Sequence, residues 1–305
     1  MTEFYSGFGL LIASDIPLTG FSLASDATPD VSVFITDRAR QAAKAAAPPP
    51  FRLARVRDDQ WCFSIPDVAD YLIIDGREIH VSPGKATHKG HLELFLAGSA
   101  IGVVLHQRGL HALHAATIAV DSVAIAFVGE QGAGKSTLAA AMARAGHRIL
   151  GDDVIALYPE TNAVLVYPGT SRFKLWQNSI DALGLSAGPQ IGDRVEKFYV
   201  DAPKDTVTPA PCPLSAVVGL DHRSHGSDLS LVDLTQLDAL NLISEHTYRA
   251  EWIDLIGGRQ QHFEQCAAVS TRLPVWRLAR PDGLGHLERT CRWLEVNWAR
   301  LGAGA

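Results

Sequence analysis

The segment that most constrains this chain is Gly129-Glu130-Gln131-Gly132-Ala133-Gly134-Lys135-Ser136. It follows an apolar run, Val123 to Val128, and precedes a helix-like run, Thr137 to Ala145, which Gly146 ends. Strand, glycine-rich loop and helix in that order predict an α/β fold around this point. The glycines let the backbone curl so that its N–H groups point inward, and the helix presents its positive N-terminal end to an anion. In such a setting Lys135 reaches the β/γ-phosphates of a nucleotide and the Ser136 hydroxyl sits on Mg²⁺. With glycine near 7% of residues, chance puts this pattern into a chain of such length on the order of once in a hundred. Gly129, Glu130, Gln131, Gly132, Ala133, Gly134, Lys135, Ser136 and Thr137 are the expected nucleotide-binding residues.

Composition narrows the partners. The 305 residues are 47% hydrophobic and 20% charged, with a formal net charge of −6. No basic excess is available to neutralise a nucleic-acid backbone, so nucleic acid is not expected as the main partner. Cys62, Cys212, Cys266 and Cys291 show neither C-x-x-C nor zinc-ligand spacing, and read as small buried residues of a reducing compartment. Glu3 and the absence of a basic start argue against a signal peptide. The longest apolar stretch, Leu92 to Leu105, contains Glu93 and is too short to span a bilayer. A cytoplasmic protein without membrane contact is expected.

Residues 1–84 read as a smaller strand-rich domain. Short apolar runs at Phe4 to Ala13, Val31 to Thr36, Phe51 to Val56, Trp61 to Ile65, Tyr71 to Ile74 and Glu78 to Val81 are separated by turn residues. Gln41 to Pro50, rich in Ala and Pro, reads as an exposed loop. Residues 85–305 form the second expected domain. It opens with a helix over Lys85 to Arg108 and a hairpin, Leu113 to Val120 with Val123 to Val128, that feeds the glycine-rich loop. Later strands are expected at Arg148 to Leu150, Val154 to Tyr158, Val164 to Tyr167, Lys197 to Val200, Leu214 to Leu220, Leu229 to Val232 and Val275 to Leu278. Helices are expected at Leu237 to Thr247, Trp252 to Ala267 and Leu287 to Leu301, the last with a core stripe of Trp293, Leu294 and Trp298.

Asp152-Asp153 gives the loop a chemistry. A right-handed crossover in a parallel sheet returns the strand after the helix beside the first one, so its end lies at the edge where α/β sheets place ligands. Adjacent aspartates form strands poorly and are costly to bury unpaired. Mg²⁺-nucleotide is the compensating partner, with one carboxylate on the metal and the other toward a nucleophile. A general base of this type accepts the proton of a hydroxyl in phosphoryl transfer. No N-K-x-D guanine-reading motif is present. His114, on the strand before the hairpin, is a candidate to hold the carboxylate and bias its proton affinity. Arg172 and Lys174 follow the Pro168-Gly169 turn, and Arg194 and Lys197 flank an acidic residue. Arg172 and Lys197 are taken as candidates for contact with transferring phosphate or a peptide carboxylate.

With these residues assembled, the chain resembles the HPr kinase/phosphorylase family. The likeness lies in Leu113-His114-Ala115-Ala116, in Ala126 through Thr137, and in Gly146-His147-Arg148-Ile149-Leu150-Gly151-Asp152-Asp153-Val154. Thr137 stands where the bacterial enzymes usually carry Glu. The resemblance implies a P-loop kinase core of the HPr kinase C-terminal type, with Asp152 as catalytic acid/base, Asp153 as Mg²⁺ ligand together with Ser136, and His114 as the supporting imidazole. The chain is also similar to the HPr-kinase-like proteins of lasso peptide biosynthesis, through Phe8-Gly9-Leu10, Ser14-Asp15-Ile16-Pro17-Leu18 and Leu105-His106-Gln107-Arg108-Gly109-Leu110. That likeness implies ATP and Mg²⁺ as cofactors and a peptide or protein partner whose Ser, at the C-terminus of a precursor peptide, accepts the γ-phosphate. A homo-oligomer is compatible with it. A small-molecule hydroxyl kinase and a nucleotide-binding regulator without transferase activity are the alternatives.

Overall fold

The computed structural model describes residues 2–85, 89–191, 196–208, 210–220 and 228–303. The chain is mixed α/β and divides into two compact units. One comprises Met1–Ala112 with Arg249–His262, the other Leu113–Tyr248 with Phe263–Ala305.

The first unit is built on an eight-stranded sheet: β1 (Glu3–Gly7), β2 (Leu10–Ser14), β3 (Ser22–Leu23), β4 (Val31–Ile35), β5 (Ala54–Arg57), β6 (Gln60–Ile65), β7 (Ala69–Ile74) and β8 (Glu78–Pro83). Their spatial order is β3-β1-β2-β4-β8-β7-β6-β5. The run Phe4 to Ala13, expected as one strand, is a hairpin. Phe8 and Gly9 adopt positive φ of 57° and 76°, which reverses the chain between β1 and β2. Gln41 to Pro50, expected as a loop, is largely helix: α1 (Arg38–Ala46) buries Ala39 and Ala42 against Cys62 and Leu72. Its alanines favour helix and offer a flat face to the sheet, and Pro48 stops it.

The expected helix over Lys85 to Arg108 is α2 (Lys89–Phe95), a π-helical turn at Leu96–Ala100, and α3 (Ile101–Gln107); residues 86–88 lie outside the described residues. These helices belong to the first unit and not, as the sequence reading has it, to the second. The reason is their polar and apolar ties to the first sheet. Thr19 donates to Glu93 at 2.7 Å, Tyr71 donates to the Leu92 carbonyl at 3.2 Å, and Arg108 pairs with Asp30 at 3.4 Å. The expected helix Trp252 to Ala267 breaks at Gly257-Gly258 into α7 (Ala250–Ile256) and α8 (Arg259–Arg272), with Gly257 at a φ of 86°. The other helices are α4 (Lys135–Arg144), α5 (Gln177–Leu183), α6 (Gln236–Glu245) and α9 (Leu287–Val296).

After β9 (His111–Leu113), the second unit carries β10 (Ala116–Val120), β11 (Val123–Val128), β12 (Arg148–Gly151), β13 (Ile155–Pro159), β14 (Val164–Tyr167), β15 (Arg172–Trp176), β16 (Lys197–Asp201), β17 (Cys212–Gly219), β18 (Ser230–Asp233) and β19 (Val275–Ala279). Its main sheet runs β12-β10-β11-β17-β14-β13, and β19 joins β17. The parallel arrangement expected around the loop needs correction. β12 does not lie beside β11; the hairpin strand β10 stands between them, antiparallel to both. Two reversals leave β12 running in the direction of β11. β17 is parallel to β11 and β19 is parallel to β17. The ends of β11, β12 and β19 therefore open on one sheet edge, although the crossover through α4 skips a strand.

The core on one face of this sheet joins Ile118, Ile125 and Phe127 to Leu138 and Met142 of α4 and to Leu294 and Trp298, with Trp293 packed against it. The aromatic stripe of the C-terminal segment is core, as its spacing implies, but the α-helix ends at Val296 and Trp298–Leu301 is a 3-10 turn. All four cysteines are buried, and none of them is in a disulfide. Among the described residues, no helix is long and apolar enough to cross a membrane.

Candidate active site

The loop after β11 has the backbone its glycines allow. Gly129, Gly132 and Gly134 have φ of 150°, 85° and 88°, values that L side chains rarely adopt. At Gly134 space is short as well, since a Cβ there would lie 2.9 Å from Arg280 Nη2. Helix α4 begins at Lys135, so its unpaired N–H groups face the loop. The Lys135 ammonium donates to the carbonyls of Gly129 at 2.7 Å and Glu130 at 3.3 Å. Burial lowers its proton affinity, against the opposing charges of Asp152 and Asp153.

Asp152 and Asp153 follow β12 in a bend, and Asp153 holds a φ of 78°. That left-handed residue turns the two carboxylates to different surroundings, as the sequence reading requires, although no strand alternation is involved. Asp153 lines a cleft of about 300 Å³ together with the loop. Asp152 is only 2% exposed and lies behind it. Its Oδ2 accepts the Lys174 backbone N–H at 3.2 Å, while Oδ1 is buried with no hydrogen-bond partner among the described residues. Burial, followed by the charge of Asp153, pushes the Asp152 carboxyl up to about 6, opposed by the nearby Ser136 hydroxyl and by Lys174. Burial acts on Asp153 in the same sense, yet the Lys174 ammonium and His114 together hold it well below the usual carboxylate range. Neighbouring carboxylates driven to opposite proton affinities are what acid–base chemistry at neutral pH requires.

His114 meets this pair. Its Nδ1 lies 2.7 Å from the Asp153 carbonyl and 3.5 Å from Oδ1 of the same residue. A carbonyl only accepts, so Nδ1 carries the hydrogen and Nε2 is the acceptor of the neutral ring. Burial lowers the proton affinity of His114, partly offset by Asp153, and favours that neutral form. The His114 N–H donates to the His246 carbonyl at 2.7 Å, and Tyr248 stands 5.9 Å from the His114 ring.

The ribbon β15–β16 supplies basic side chains beside the aspartates. Lys174 Nζ donates to Asp153 Oδ2 at 2.6 Å, and burial does not keep the carboxylate from raising the proton affinity of this ammonium. Lys197 lines the cleft with its ammonium 5.9 Å from the centre of the Trp176 ring. Arg172 does not line the cleft. Its Nε pairs with Asp201 at 2.8 Å and its guanidinium lies over Tyr199 at 4.3 Å. Position along the strand explains this, because Arg172 and Lys174 share one face of β15 but the cleft reaches only the end nearer Trp176. Arg194 lies outside the described residues. Thr137 lines the cleft, and its hydroxyl lies 3.1 Å from that of Ser179.

Sequence reasoning passed over Trp176, Asn178, Ser179 and Arg280, all of which line the cleft. Arg280, just beyond β19, donates to the Ala133 carbonyl of the loop. A signal for it existed: a strand ending at Ala279 and followed by Arg280-Pro281-Asp282-Gly283 reaches the loop's edge if it runs parallel to β11. The residues fit Mg²⁺. The Ser136 hydroxyl and the carboxylates are all oxygen donors, the set this hard cation takes. Asp152 Oδ1, buried with no hydrogen-bond partner among the described residues, adds a further oxygen acceptor near Ser136.

No family model matches the chain, and no curated protein matches it. Among solved structures, it is similar to the HPr(Ser) kinase/phosphatase from Coxiella burnetii, with 15% identity and a TM-score of 0.32 over 62% of this chain and 98% of that one.

Proposed function

We propose that this chain is a Mg²⁺-ATP-dependent kinase that transfers the γ-phosphoryl group to the Ser hydroxyl of a peptide, the C-terminal Ser of a lasso precursor peptide. The observation that carries the kinase reading is the meeting of a phosphate-binding loop and Asp153 in one cleft, with Asp152 buried next to it. The peptide Ser and the C-terminal position rest on the motif resemblance alone.

In this reading the loop N–H groups and the start of α4 hold the β- and γ-phosphates, and Lys135 exchanges its carbonyl partners for phosphate oxygens. Bound Mg²⁺ supplies charge neutralisation on the transferring group, held through Ser136 and Asp153. Asp152 accepts the proton of the acceptor hydroxyl as its oxygen bonds to the γ-phosphorus, while the bond from that phosphorus to the β,γ-bridging oxygen breaks and ADP departs. His114 keeps the Asp153 backbone and carboxylate in place. Lys197, at the mouth of the cleft, meets the transferring group or an acceptor carboxylate. Asp152→Asn should retain ATP affinity and lose transfer, checked by nucleotide titration beside a single-turnover assay; undiminished transfer removes Asp152 as the base.

A second reading has one observation in its favour. Asp152 is almost sealed from solvent, and a base must touch its acceptor. If the carboxylates only hold Mg²⁺, the chain is a nucleotide-binding regulator, and it will bind ATP without yielding a phosphorylated product from any peptide or metabolite.

A further inference from the structure

Lys174 is tied to both aspartates at once. Its backbone N–H donates to Asp152 at 3.2 Å and its ammonium to Asp153 at 2.6 Å. The origin of its side chain is thus pinned within β15, while the four-carbon stem leaves the ammonium able to swing. Asp153 Oδ2 accepts from the Lys174 ammonium at 2.6 Å, while Oδ1 lies 3.5 Å from His114 Nδ1, whose hydrogen goes to the Asp153 carbonyl. A metal ion at this carboxylate meets the Lys174 ammonium as a competing cation, because two positive charges then crowd one carboxylate. The neutral His114 ring is held at the Asp153 backbone carbonyl at 2.7 Å, so the ammonium is the cation that must move. Lys174 and Asp153 both line the cleft shared with the phosphate loop, with side chains only 18% and 23% exposed. In such surroundings a displaced ammonium without a new anion is left as an uncompensated, largely buried charge.

We propose that Lys174 is a tethered cation occupying the metal-binding carboxylate, exchanged for Mg²⁺ only when a nucleotide supplies phosphate oxygens to receive the displaced ammonium. The proposal rests on the kinase reading in one respect, that Asp153 receives a divalent ion. Metal alone then binds poorly, because it strands the ammonium. Metal with nucleotide binds well, because the ammonium moves from Asp153 to the phosphates. By linkage each ligand raises the affinity of the other by the same factor. Lys174 is accordingly a positioning residue that couples the two ligands.

The test uses the full chain and Mn²⁺ as a paramagnetic probe for the site. Mn²⁺ is titrated alone and with a non-hydrolysable ATP analogue, in wild type, Lys174→Met and Lys174→Arg, with thermal melts to confirm folding. Lys174→Met should bind Mn²⁺ alone at least tenfold more tightly than wild type, and the analogue should no longer raise that affinity. Lys174→Arg should keep weak binding of the ion alone. A Lys174→Met protein whose affinity for Mn²⁺ alone is unchanged or lower overturns the proposal. Should that variant fail to fold, wild type decides: equal Mn²⁺ affinity with and without bound analogue overturns it, and enhancement lost in Lys174→Gln supports it. Failure of wild type to bind the analogue contradicts the kinase reading alone, since the Mn²⁺-only comparison still tests the exchange.

Discussion

Asp152 ties stability to chemistry at the scale of one residue. A carboxyl raised to about 6 in the folded chain, against about 3.9 in an unfolded one, binds its proton more tightly when folded. Its contribution to stability is therefore complete below about pH 4 and is lost as pH rises through about 6. At neutral pH the buried charge costs on the order of 3 kcal/mol. Asp152→Asn should melt at a higher temperature than wild type at about pH 8 and gain nothing at about pH 4; equal melting at both would contradict the burial argument. If Asp152 is the base, transfer by wild type should decline as pH falls below about 6. Lys135→Ala should lower ATP affinity by an order of magnitude or more, read by titration with a fluorescent nucleotide. The loop, His114 and the aspartates were legible because their residue types and spacing are specific. Arg172 was preferred to Lys174, the one that lines the cleft, because both are cations on one strand and only the extent of the cleft separates them.

Elements were legible where periodicity was strong and hidden where tertiary partners decide. β11, α4 and β17 follow from apolar runs and a glycine stop. β15 was missed although Arg172-Phe173-Lys174-Leu175 alternates polar with apolar residues, because the run is short and its partner β16 lies more than twenty residues on. The side-by-side placement of β11 and β12 was wrong in detail, because the hairpin places β10 between them. The edge was nonetheless right, since strand direction sets which end faces the loop. At the start of α4, Gly134→Ala should be destabilising by ~1–2 kcal/mol from left-handed backbone strain. The crowding of Arg280 adds to this, and nucleotide affinity should fall with it. Thermal melting and ATP titration check both, and a neutral Ala variant would mean that the loop relaxes freely.

At the scale of the whole molecule, the first unit is discontinuous, borrowing Arg249–His262 from far along the chain. A boundary at residue 84 follows from composition, which cannot reveal that a distant segment completes a core. Trp252 is 1% exposed and packs 5.5 Å from Phe63, with Arg249 4.9 Å over its ring. Trp252→Ala should cost ~3–5 kcal/mol and lower the protection of β6 and β7 in hydrogen exchange. Unchanged protection would remove the segment from that core. The central claim, hydroxyl phosphorylation at the loop–aspartate edge, is tested most directly by incubating the purified chain with ATP, Mg²⁺ and Ser-terminated peptides. Mass spectrometry then reads the product. One phosphoryl group on the terminal Ser, abolished in Lys135→Ala and Asp152→Asn, is the predicted result; bound ATP with no phosphorylated peptide or metabolite from the wild-type chain would contradict it.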